Sequence, residues 1–80
     1  MKTVFENESM IISVDDNAFV EFKGVGENEI SENYCADAEI AVQEWLDSCE
    51  DEDYANCEAG ASYVYKEEDG CGICVNLHYS

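Results

Sequence analysis

One stretch decides the fold of this chain: residues 31–49, SENYCADAEIAVQEWLDSC. Ser31 is a suitable N-cap, and Glu32 places a negative charge where the helix dipole favours it. At 100° per residue, one side of the segment carries apolar side chains, namely Tyr34, Cys35, Ala38, Val42, Trp45, Leu46 and Cys49. The pattern predicts the protein's one helix, packed through this face on a sheet, with Trp45 at the centre of the core.

Strand-like alternation appears on both sides of that helix, at residues 10–14, 18–23, 61–66 and 73–79. Asp15, Asp16 and Asn17 supply turn chemistry for a first hairpin, and the segment 67–70 does so for a second. A helix with one apolar face covers one side of a sheet. We therefore predict an α+β fold: a four-stranded antiparallel sheet in ββαββ order with one helix on one face. Residues 1–80 should form a single domain.

The charge of the chain is extreme. Against 20 Asp and Glu stand three Lys and one His, which gives a net charge of −17, whereas small soluble domains usually carry a charge of magnitude about 2 to 8. Self-repulsion of this size destabilises a compact state, so the charge is expected to have a purpose. Adaptation to a high-salt habitat is the alternative. Nucleic acids and anionic membranes attract clustered Lys and Arg, so we expect no direct binding to either and a basic protein as partner.

The cysteines and the single histidine offer little chemistry. Five cysteines, an odd number, argue against a complete disulfide framework: Cys35, Cys49, Cys57, Cys71 and Cys74. The pair in Cys71-Gly72-Ile73-Cys74 lacks the second pair of a four-sulfur zinc site. Structural thiols with no metal and no cofactor are expected, and a small zinc- or redox-dependent protein is the alternative. With one His and no nucleophile motif, the parts of a triad or a general acid/base dyad are missing. We predict that the chain is not an enzyme.

The outward side of the helix is the more informative surface. A helix built for stability would place Lys four residues from its acids and keep acids away from its last turn. This helix does neither. We predict that the partner-binding surface consists of Asp37, Ile40, Glu44, Asp47, Glu50, Asp51, Glu52 and Asp53. Ile40 is expected to be an exposed apolar anchor within this acidic face.

In size, charge and sheet-plus-helix layout, the chain resembles the small phage-encoded DNA-mimic inhibitors, the anti-CRISPR and anti-restriction proteins. The resemblance lies in composition and architecture, so it transfers no site residues. It implies an inhibitor that occupies the basic nucleic-acid-binding groove of a bacterial defence complex, a CRISPR effector or a restriction enzyme, and blocks binding of target DNA. Without a signal peptide or a membrane span in its sequence, the protein is expected in the host cytoplasm. A non-catalytic acidic module for another basic protein is the alternative, and the oligomeric state is left open.

Overall fold

The computed structural model describes residues 1–67 and 70–79. In chain order its elements are β1 (Lys2–Glu6), β2 (Met10–Val14), β3 (Ala18–Phe22), a 3-10 turn (Glu32–Tyr34), α1 (Cys35–Ser48), β4 (Cys57–Glu67) and β5 (Gly70–Tyr79). The strands form one antiparallel sheet in the order β1-β2-β3-β5-β4. The predicted α+β class, with one helix and an antiparallel sheet, is confirmed for the described residues.

The predicted strand number is wrong, because the sheet has five strands and the chain order is βββαββ. The strand that the sequence did not reveal is β1, at the edge of the sheet. Only Val4 of its five residues is half-buried, and the pairing with β2 shifts register between Thr3 and Phe5. An exposed edge strand with a bulge shows no clear alternation of apolar and polar residues.

The other four strands lie where the sequence predicts them, and three of them differ from the prediction in length. β2 has the predicted bounds, and the first turn is closed by the amide of Asp15 donating to the carbonyl of Asn17 at 3.0 Å. β4 begins four residues earlier than predicted and β5 three residues earlier. Gly60 resembles a loop signal, but it lies at the irregularity of β4, where a Cβ would collide with the His78 imidazole.

The predicted second turn, residues 67–70, falls partly outside the described residues, which exclude Glu68 and Asp69. On its two sides the backbones of Glu67 and Gly70 are paired in the antiparallel register of β4 and β5. The hairpin prediction is therefore confirmed for the two strands, and the turn residues themselves stay a prediction.

The helix begins as predicted. The side-chain oxygen of Ser31 accepts a hydrogen bond from the amide of Asn33 at 3.4 Å, one 3-10 turn follows, and α1 continues from Cys35 to Ser48. The helix ends where Cys49 turns to extended backbone, at φ −75° and ψ 129°. These bounds fix which side chains point outward.

The core lies between α1 and one face of the sheet. From the helix it takes Ala38, Val42 and Leu46, and from the sheet Ile12, Val14, Ala18, Val20, Cys57, Ile73, Val75 and Leu77. The expectation that Trp45 is the central core residue is wrong, since its side chain is half-buried and packs against Tyr54 at the margin. Trp45 follows Val42 by three residues, so it lies about 60° to one side of the buried line of the helix.

Candidate partner-binding surface

The eight predicted binding residues are all solvent-exposed, and they divide into two groups. The first is a stripe along the outer side of α1, the helix stripe, formed by Asp37, Ile40, Glu44 and Asp47. Helical geometry places these four within about 80° of one another around the axis, over a rise of about 15 Å. Ile40 is 58% exposed among these acids, so the helix phase predicted from the sequence is confirmed.

The second group is the acidic turn, residues 50–53, which follows the helix. Its backbone is held by local hydrogen bonds. The carboxylate of Asp51 accepts from the amide of Asp53 at 2.9 Å, and its carbonyl accepts from the amide of Tyr54 at 3.0 Å. The four carboxyl groups therefore extend from an ordered turn.

Two side chains on the flank of α1 tie the helix to β4. Gln43 accepts a hydrogen bond from the amide of Ala59 and donates one to the carboxylate of Asp47, both at 3.0 Å. Glu39 accepts a hydrogen bond from the hydroxyl of Ser62 at 2.8 Å. These contacts fix the position of Asp47 and of the helix stripe. Sequence reasoning missed Gln43, and only its place beside the apolar face, one residue after Val42, could have indicated it.

The negative charge on this side has no nearby cation in the sequence. No Lys or Arg occurs between Lys23 and Lys66, a segment that contains α1 and the acidic turn. Lys23 is itself paired with Glu6 at 2.7 Å, the one ion pair within residues 1–67 and 70–79. Carboxylates that outnumber the nearby cations produce a negative potential that reaches about 8 Å into physiological salt.

A groove runs between α1 and β1, beside the helix stripe. Its smaller part, about 240 Å³, is lined by Phe5, Asn7, Met10, Ala41, Glu44, Trp45 and Ser48. The adjoining part, about 460 Å³, shares Trp45 and Ser48 and is completed by Lys2, Thr3, Val4, Cys49, Glu50, Asp51 and Tyr54. We call the whole the β1 groove. The sequence did not predict it, because one wall is the strand that was missed.

The opposite face of the sheet, the open face, has a different chemical character. Cross-strand pairing places Phe19, Cys74 and Tyr63 side by side, and the Phe19 ring meets Tyr65 edge-to-face with centroids 5.4 Å apart. Cys74 is fully buried and Tyr63 is 52% exposed. A hydrogen bond with Cys74 raises the pKa of Tyr63 above its ordinary value. His78 is solvent-exposed.

The C-x-x-C cysteines point away from each other. Cys74 lies on the open face, whereas Cys71 packs against the core cluster on the helix side, as expected for residues three apart in a strand. All five cysteines are free thiols, and burial together with nearby Cys49 raises the pKa of Cys57. Among the described residues, no three His, Cys, Asp or Glu side chains are grouped closely enough to hold a metal ion.

The described part of the chain contains no helix with the length and apolarity needed for a membrane crossing. The chain has no significant match among protein families, curated proteins or solved structures.

Proposed function

We propose that this chain is a non-catalytic nucleic-acid mimic that occupies the basic nucleic-acid-binding groove of a bacterial defence complex and blocks the binding of target DNA. A CRISPR effector is the first candidate for that complex, and a restriction enzyme is the second. The observation that carries the proposal is the exposure of all eight predicted binding residues, which lie in a segment, residues 24–65, that contains no Lys or Arg.

The spacing of the carboxylates supports this proposal. Along the helix axis, Glu44 and Asp47 are separated by a rise of about 4.5 Å and Asp37 and Glu44 by about 10.5 Å, and one DNA strand carries a phosphate about every 3.4 Å. Lys and Arg side chains positioned for phosphates along a nucleic-acid backbone therefore find these carboxylates about one and about three phosphate intervals apart. Competition for such a groove needs charge and shape but no chemical reaction.

The rigidity of the surface also supports it. A flexible acidic segment loses conformational entropy when it binds, and this loss reduces its affinity. Here the hydrogen bonds of Gln43 and Glu39 to β4 hold the helix in place, and the acidic turn is closed by its own backbone contacts. A large part of that entropy is therefore lost during folding and not during binding.

The proposal is tested by DNA capture. A purified CRISPR effector loaded with guide RNA is incubated with increasing amounts of the chain before labelled target duplex is added, and captured DNA is measured by mobility shift. We expect the chain to prevent capture in low salt and to lose potency steeply as salt rises, because screening weakens interactions between exposed charges. The same assay with restriction enzymes covers the second candidate.

A matched pair of variants assigns the effect to a surface. Glu44→Lys with Asp47→Lys reverses two charges on the helix stripe, and Glu21→Lys with Glu58→Lys makes the same change on two exposed strand residues elsewhere. We expect the first variant to lose inhibition and the second to keep it. Equal losses would show that only total charge matters. Undiminished capture with effectors and restriction enzymes alike would reject the proposed function.

A further inference from the structure

The β1 groove combines aromatic rings with carboxylates in a way that the helix stripe does not. The rings of Trp45 and Tyr54 lie with centroids 5.4 Å apart and planes inclined by 54°. Glu44 lines one part of the groove, and Glu50 and Asp51 line the other. The faces of aromatic rings attract cations, and carboxylates nearby strengthen that attraction.

We propose that the β1 groove binds an arginine side chain of the basic partner, with the guanidinium stacked on Trp45 and Tyr54 and facing the carboxylates of Glu50 and Asp51. This inference rests on the proposed function, since it assumes a basic partner, and it names the side chain that this partner inserts.

The lining of the groove suits one long cationic side chain. Phe5 is 40% exposed there and offers apolar contact to the methylene stem of a long side chain. Lys2 is the single cationic residue among the lining residues of the two parts. An incoming cation therefore meets a net negative site.

Arginine fits these contacts better than lysine does. A guanidinium is planar, stacks on aromatic faces and is more weakly hydrated than an ammonium group, so it loses less hydration on entering a ring-lined groove. Its fork of N–H donors can also bond to a carboxylate through two parallel hydrogen bonds. Burial, the nearby Tyr79 and the carboxylates of Asp51 and Asp53 raise the pKa of Tyr54, so its ring stays neutral at physiological pH.

The test uses the one tryptophan of the chain as its own reporter. The full chain is titrated with capped tetra-arginine, tetra-lysine and tetra-citrulline peptides while the fluorescence of Trp45 is recorded. We expect tetra-arginine to change the emission and to bind at least about three-fold more tightly than tetra-lysine, because guanidinium stacking adds to the charge attraction common to both. Citrulline, the uncharged analogue of arginine, should not bind.

Substitutions locate the binding. Tyr54→Leu should weaken tetra-arginine binding about three-fold while Tyr54→Phe keeps it, and Tyr63→Leu, which removes a ring from the open face, should have no effect. If Tyr54→Leu does not fold, Glu50→Gln with Asp51→Asn is compared with Glu21→Gln and Glu58→Gln. Preferential weakening by the first pair supports the site. Equal binding of arginine and lysine peptides, or equal effects of the two pairs, would overturn it.

The peptide-binding experiment and the DNA-capture assay test different claims, so one can fail while the other succeeds. Inhibition of DNA capture without a preference for arginine would reject the groove and leave the proposed function intact. Selective arginine binding without inhibition of any defence complex would support the groove and reject the defence complex as partner.

Discussion

The two faces of this small sheet present opposite kinds of surface. On the helix side, the outermost layer is a row of acids with one large exposed aliphatic residue, Ile40, among them. On the open face, the centre is a row of rings with a fully buried thiol, Cys74, between Phe19 and Tyr63. A coat adapted to high salt would cover both faces alike. The row of acids along α1 and the acidic turn favours a binding role for these acids.

The comparison also separates two effects of salt. Added salt screens the repulsion within a chain of net charge −17 and should stabilise the fold. The same screening should weaken an interface that depends on the helix stripe and the acidic turn. Binding through the apolar rings of the open face would not be weakened by salt in this way.

The largest expected effect distinguishes the inner from the outer side of α1. Leu46 is 4% exposed, whereas Ile40 is 58% exposed. Leu46→Ala should lower the free energy of unfolding by about 2–5 kcal/mol, because it leaves a cavity in the core. Ile40→Ala should change it by no more than about 0.5 kcal/mol. Urea denaturation measures both, and similar losses for the two variants would contradict the helix phase.

This part of the fold was predictable from the sequence, because period 3.6 in residues 31–49 fixes both sides of the helix. The parts of the fold prediction that were wrong have physical causes. β1 is a bulged edge strand that shows no alternation, and Gly60 is a strand irregularity that resembles a loop signal. Trp45 lies about 60° from the buried line of the helix and lines the β1 groove, so it is not the centre of the core.

The candidate site was predictable to the same extent as the helix. Exposure of the helix stripe follows from the phase of the apolar face, and exposure of residues 50–53 follows from four consecutive acids. The β1 groove was not predictable, since it needs a strand close to the chain's first residue to lie beside α1. Neither was the bridge from Ala59 through Gln43 to Asp47, because it joins residues that become neighbours only when the sheet forms.

The second prediction concerns the acidic turn. Changing residues 50–53 to the matching amides should slow association with the partner roughly ten-fold at low salt, because exposed charges steer the approach of a basic surface. Stopped-flow or surface-plasmon measurements of the association rate give the result. The control removes four other exposed acids in the same way, at Glu8, Glu21, Glu27 and Glu58. If the control variant slows association equally, the acidic turn acts only through its contribution to the net charge of the chain.

The third prediction concerns Ile40 in the partner complex. Because an apolar side chain inside a charged rim can act as a binding anchor, Ile40→Ala should weaken binding by about 1 kcal/mol and act mainly on the dissociation rate. Tyr63→Ala, a truncation of the exposed ring on the open face, is the matched control and should leave binding unchanged. If the effects are reversed, the partner binds the ring-bearing face and the acids serve only in its approach.

The smallest expected effect compares two tyrosines, one on each side of the sheet. Burial, followed by Tyr79 and the carboxylates of Asp51 and Asp53, raises the pKa of Tyr54, whereas a hydrogen bond with Cys74 is the main cause for Tyr63. A phenol whose pKa is raised by folding ionises first in the unfolded chain, so the stability linked to it is present below pH 10.0 and is lost as pH rises through the folded value.

Cys74→Ala should therefore return the pKa of Tyr63 toward its ordinary value without moving that of Tyr54. Added salt should lower the pKa of Tyr54 but leave it raised, because burial, its main cause, is not screened. Titration of the ring-carbon NMR signals resolves the two residues, and a common response to Cys74→Ala would show that the two faces are coupled through the sheet.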